Sequence, residues 1–258
     1  MKIILPTTPP VFISSVFMIV TIIGTRLGIE TLGRFSELYF PWVILLFIIF
    51  VSSIAPQIEP KNLSPVLEAG MKPVLRGTYN AIYPFLDLAA FLMIFPFIHR
   101  KGKVLREFLA GTWIAGIILI ITTLLCILVL GFEVTAIKRV PTYWLAKLIN
   151  IGDFIQRFEV IVAFIWFVTM YFKLTVYFYA LTLGTAQFWK LKDFHSLTLP
   201  FGVILVSLSL VLYPNIGFAY EKGKSHIPFS IVVTLVLPLV LIGVDKVKKM
   251  FQTDNHLI

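Results

Sequence analysis

Cysteine is nearly absent from this 258-residue chain: Cys126 is the single one, and it sits inside a long apolar run. One cysteine excludes an intrachain disulfide and a thiolate metal cluster, which leaves Cys126 as a small residue in an apolar setting. Histidine is scarce as well. His99, His195, His226 and His256 fall in loops or near the ends of apolar runs, and no two have the spacing of a zinc site. They read as residues of a membrane interface. Charge is the third shortage, at 14% of residues, where soluble domains carry about 25%. There is no paired nucleophile and base, no metal set and no nucleotide motif, which argues against an enzyme and calls for no cofactor.

What the chain has instead is apolar mass. Hydrophobic residues make up 59% of it, and the mean hydropathy is +0.94. One globular core cannot hide this much, so lipid must be the solvent. In lipid every backbone N–H and C=O needs an internal partner, which only helices and closed barrels provide. A barrel would show short alternating strands of about 10 residues. The unbroken runs point instead to an all-α polytopic membrane protein, one transmembrane domain of about seven helices. The spans are placed at 10–28, 39–55, 80–98, 108–131, 154–184, 196–213 and 227–245. Residues 63–76, between the second and third spans, are apolar at helical spacing but too polar to cross, and read as an amphipathic surface segment.

Seven spans put the termini on opposite faces. Arg100, Lys101, Lys103 and Arg106 fall on the same side as Arg26, Arg34, Lys190, Lys192, Lys246, Lys248 and Lys249. Basic residues collect on the cytoplasmic side, so the C-terminus is placed there. The net charge of +9 then reads as contact with anionic headgroups, not with nucleic acid. The first ten residues hold one lysine and three prolines, and the apolar run after them lacks a small-residue cleavage site, so they do not read as a signal peptide.

Ionisable side chains inside a span are expensive and mark function. Asp87 lies in the third span between Pro84 and Pro96, and a proline there removes a helical donor and frees a carbonyl upstream. Either this helix unwinds to offer backbone groups to a substrate, as in transporters, or it is an ordinary kink with Asp87 near the outer interface. Lys173 sits near the centre of the fifth span, about 16 Å from its far end. An inward lysine with a polar partner is favoured there over one that snorkels to the surface. Arg157 and Glu159 open that span. Glu159 and Lys173 are 14 residues apart, within roughly 40° of one face but about 21 Å along the axis. They therefore line one path or, for Arg157 and Glu159, simply set the helix depth. Pro200 and Pro238 read as kinks, Gly111 and Gly116 as sites of close helix packing, and the aromatics around Tyr171 and Tyr177 as packing.

Several of these segments carry a family resemblance. They are Gly33-Arg-Phe-Ser-Glu37; Asn62-Leu-Ser-Pro-Val-Leu-Glu-Ala-Gly70 with Pro73 and Gly77; Pro84 with Asp87, where the family often has glutamate; and Asp153-Phe-Ile-Gln-Arg-Phe-Glu159 followed by Trp166 and Lys173. Together, across nearly the whole chain, they resemble the membrane B subunit of spore nutrient-germinant receptors, a branch of the amino acid–polyamine–organocation transporter superfamily. The resemblance implies ten helices in two inverted five-helix repeats, with the first and sixth helices broken around the ligand. The seven spans would be helices four to ten, without the first three, so that the third span is the broken sixth helix and the fifth span the eighth. It implies a subunit in the spore inner membrane that senses a small nutrient such as an amino acid and triggers germination. Its partners would be an A-type membrane subunit and a C-type lipoprotein. Tyr83, Pro84 and Asp87 would contact the ligand, and Lys173 would replace a bound cation opposite the broken helix. The rival readings are an amino acid permease of the vegetative membrane and a structural membrane subunit with no ligand of its own.

Overall fold

The computed structural model describes residues 8–64, 70–98, 101–138, 140–149, 158–212 and 227–244. Among them the secondary structure is helical throughout, without strands. The elements are α1 (Pro10–Arg26), α2 (Ile29–Ile54), α3 (Met71–Ala81), α4 (Tyr83–Leu86), α5 (Lys101–Leu130), α6 (Phe132–Ile137), α7 (Pro141–Leu148), α8 (Glu159–Phe188), α9 (His195–Leu212) and α10 (Ile227–Val244). Five of them, α2, α5, α8, α9 and α10, are long and apolar enough to cross a membrane, and α1 is a shorter apolar helix. The protein is an all-α polytopic membrane protein.

Local chemistry sets the helix limits. α1 starts with Pro10 in its first turn, where no N–H is missed, and stops before Gly28, whose φ of +88° an L side chain would resist. α2 takes in Glu30 and Arg34, which lie outside the apolar run expected at 39–55. They form an i,i+4 ion pair at 2.7 Å that carries the helix through its polar first turns. α5 ends at Gly131 with φ +80°. Its orphan carbonyls are taken by the connection after α2: the Glu59 N–H donates to Leu128 O at 3.1 Å, and Asn62 Nδ2 donates to the same oxygen at 2.9 Å. Thr135 Oγ1 similarly donates to Cys126 O at 2.9 Å. In α10 the turn Val232–Val236 is a π-helix just ahead of Pro238. A widened turn is one way a helix absorbs a proline ring.

The chain divides into two compact units. The first is Met1–Glu68 with Met93–Leu208, the second Ala69–Leu92 with Ser209–Ile258. In the first, α8 is the hub, with α1, α2 and α7 packed against it. Its core gathers Phe50, Ile54, Leu125, Cys126, Leu145, Ala146, Ile149, Phe158 and Val162. Leu145 is 0% exposed. Leu145→Ala is expected to cost about 2–5 kcal/mol, the range for emptying a packed leucine site, read as a lower melting temperature of the protein in detergent.

Small residues let α1, α8 and α9 approach. A Cβ on Gly24 would collide with Tyr171 Oη, and one on Gly202 would lie 2.6 Å from Ile22 Cδ1. A side chain at Gly111 would meet open space, so the close packing expected there falls at Gly24 and Gly202. Threonine hydroxyls on α8 are satisfied on their own helix: Thr175 donates to Tyr171 O at 2.8 Å and Thr182 to Phe178 O at 2.9 Å. Such back-bonding keeps polar atoms compatible with lipid.

Candidate functional site

The most irregular backbone lies where the third span was expected. Gly70, with φ +74°, opens α3. Apolar Met71, Val74, Leu75, Tyr79 and Ile82 recur at helical spacing, and Lys72, Arg76 and Asn80 fall between them. Residues 65–69 of the expected surface segment lie outside the described residues. The helix then breaks at Ile82. Pro84 has no N–H to give to Asn80, four residues back, and α4 is a single turn held by Phe85 N–H and Leu86 N–H on Ile82 O at 2.9 and 3.2 Å.

From Asp87 to Met93 the chain runs as a 3₁₀-helix of seven residues, followed by a second short one at Phe95–Phe97 around Pro96. Runs beyond three or four residues are uncommon, and within a longer helix they often mark a hinge or a functional site. A 3₁₀ stretch rises about 2.0 Å per residue and stacks every third side chain, which puts Asp87, Ala90 and Met93 in one row. Asp87 is half-buried and stands at the junction where α4 ends and the 3₁₀ run begins. Tyr83 and Pro84 are exposed one turn before it. The three ligand-contact candidates thus share one short stretch at the helix break.

The intramembrane candidates fall elsewhere. Glu159 is the first residue of α8, and Lys173 is close to its middle. Lys173 is exposed, with Nζ 5.8 Å from the centre of the Tyr177 ring. Arg157 lies outside the described residues. Lys173 and Glu159 belong to the first compact unit, and Tyr83, Pro84 and Asp87 to the second.

A groove of about 390 Å³ runs between α2 and α8, lined by Ser36, Glu37, Tyr39, Phe40, Val43, Val168, Thr169 and Phe172. Its walls are almost wholly apolar. Ser36 Oγ and Thr169 Oγ1 spend their protons on their own helices, at Gly33 O and Ile165 O. Neither Lys173 nor Glu159 lines it. Glu37 stands out in the sequence only as part of a motif. What places it on the groove is that α2 is helical from Ile29, a reach that apolarity alone does not signal. Asn62, also noted only within a motif, has a clear structural task in capping α5. Among the described residues no group of three His, Cys, Asp or Glu side chains is placed to hold a metal.

Five apolar helices long enough to cross a membrane define a polytopic membrane protein; the stretch interrupted near Pro84 is not one of the five. The comparisons narrow this further: the chain belongs to the spore permease family, described as spore germination protein, whose profile matches residues 2–215. It is 29% identical to spore germination protein KB of Bacillus subtilis over 93% of this chain and 67% of that protein. It is 23% identical to spore germination protein XB of Bacillus anthracis over 95% of this chain and 69% of that protein, and 26% identical to spore germination protein GerLB of Bacillus cereus over 94% and 65%. The chain thus spans about two thirds of the length of these relatives. No solved structure matches it. The protein is a germination-related integral membrane protein of the permease family.

Proposed function

We propose that this protein is the membrane subunit of a nutrient-germinant receptor, which senses a small nutrient such as an amino acid through the broken segment around Tyr83, Pro84 and Asp87. The observation that supports this reading is the seven-residue 3₁₀ run that begins at Asp87, directly after the single turn α4 that holds Tyr83 and Pro84. An acid at an interrupted helix offers a carboxylate to a ligand ammonium. Binding favours one arrangement of the helices over another, and that shift passes to partner subunits with no bond made or broken. The partners in this reading are an A-type membrane subunit and a C-type lipoprotein. The site of action is the spore inner membrane, with the C-terminus on the cytoplasmic side.

Immunoblots of dormant-spore inner membranes beside membranes of growing cells test the setting. A band confined to spores supports the receptor reading, and a band mainly in growing cells removes it. Lys173→Ala is expected to abolish the germination response while the protein still inserts at normal level. A normal response would take Lys173 out of the mechanism.

The permease in the family's label favours a second reading, an amino acid permease with real turnover. Uptake of labelled amino acids into proteoliposomes separates the two, since a sensor gives saturable binding with little flux.

A further inference from the structure

Two segments 169 residues apart meet where α1 ends and α9 begins. Arg26, the last residue of α1, donates from Nε to Thr198 Oγ1 at 2.9 Å and from its guanidinium to His195 O at 3.3 Å. His195, the first residue of α9, answers with its ring: Nε2 lies 3.2 Å from Arg26 O, and Nδ1 contacts Asp193 Oδ1. Asp193 also accepts the His195 backbone N–H at 3.0 Å, as a cap does, and Ser196 Oγ donates to Asp193 O at 3.1 Å. Phe194 stacks on the imidazole and meets the Tyr179 ring edge-on. Thr25, next to Arg26, is fully buried, and its hydroxyl has no hydrogen-bond partner among the described residues.

Proton counting decides what this arrangement requires. A backbone carbonyl and a carboxylate oxygen both accept and cannot donate. A neutral imidazole has one N–H, so it can serve only one of them. Both bonds form together only with the imidazolium, or with a protonated Asp193. The second is disfavoured, because hydrogen bonds from the His195 backbone and then from its side chain hold the Asp193 carboxyl below its ordinary value. The charges facing the ring are Asp193 from the α8–α9 connection, which favours the imidazolium, and Arg26 from α1, which opposes it. The end of α1 adds its own negative dipole.

We propose that Asp193, His195 and the C-terminal turn of α1 form a pH-sensitive latch that ties α1 to α9 when His195 is protonated and loosens when it is neutral. The sign follows from the bonds: the latch contributes stability at low pH and loses it as pH rises through the histidine titration. Glycines hold the same helices close, Gly24 on α1 against α8 and Gly202 on α9 against Ile22 of α1. Deprotonation of His195 removes one of the two ring bonds, while Arg26 keeps its own bonds to Thr198 Oγ1 and His195 O, so the contact is weakened and not severed.

The test uses the full chain in lipid nanodiscs. With ¹⁵N-labelled histidine, the wild-type His195 ring is expected to show two N–H nitrogens at pH 6. The melting temperature is expected to fall by a few degrees between pH 6 and pH 8.5, and His195→Gln and Asp193→Asn are each expected to flatten that slope. A His195 ring with a single N–H at pH 6 would overturn the latch, and so would a His195→Gln protein with the wild-type slope. The ring measurement needs no variant, so it decides even if a substitution impairs folding.

Discussion

If the proposed sensing role holds, spores whose protein carries Asp87→Asn are expected to need about 10- to 100-fold more nutrient for a half-maximal germination response, with the protein present at normal level. Asparagine keeps the size of the side chain and its place at the head of the 3₁₀ run, but it removes the charge. A hydrogen bond to a charged group contributes about 1.5–3 kcal/mol, and each 1.4 kcal/mol is about tenfold in affinity. Asp87→Glu is expected to retain much of the response, because it keeps the carboxylate and lengthens the side chain by one methylene. If Asp87 only marks an interfacial kink, the neutral variant germinates like wild type. The dose-response curve of the two variants separates these outcomes, and an immunoblot confirms that each protein is present.

The second large effect is structural. Gly24→Leu is expected to separate α1 from α8 and to remove most of the folded protein from detergent extracts. A Cβ alone at this position collides with Tyr171 Oη and comes within 3.2 Å of Thr175 Cγ2. Gly24→Ala is milder, about 1–3 kcal/mol for overpacking, since the tip of the tyrosine ring can swing. Leucine adds three more carbons beyond a Cβ that already meets both Tyr171 and Thr175. In a bilayer, helix association depends on close packing, because lipid is as apolar as the side chains. Size-exclusion profiles and melting curves of the wild-type, Gly24→Ala and Gly24→Leu proteins check this. Equal behaviour of all three would remove the close α1–α8 contact from the description.

Much of the architecture was legible in the sequence for a simple reason: lipid demands long apolar helices, and those are visible in a linear string. The expected span at 108–131 falls on α5 up to Leu130, and the irregularity expected at Pro84 falls in α4, the single turn that follows the end of α3 at Ala81. Other features were not visible. α2 reaches back to Ile29 through the Glu30–Arg34 pair, which an apolar window discards. The tighter winding of Asp87–Met93 leaves no mark on composition. The Arg26–His195 contact joins residues 169 positions apart, and local spacing gives no hint of it. On the sequence alone His195 reads only as an interfacial residue. Asp87 stands out because an acid in an apolar run is costly, whereas Glu37 carries no such signal because it lies just outside the apolar run of α2. Arg157 and the basic cluster Lys246, Lys248 and Lys249, used to orient the chain, lie outside the described residues.

The most direct measurement is the drop in optical density of a purified spore suspension given single amino acids, in spores with this protein, without it, and with it restored. A nutrient sensor is expected to give at least one amino acid whose response disappears with the protein and returns with it. Identical responses in all three suspensions, across the full panel, would contradict a role in sensing amino acids.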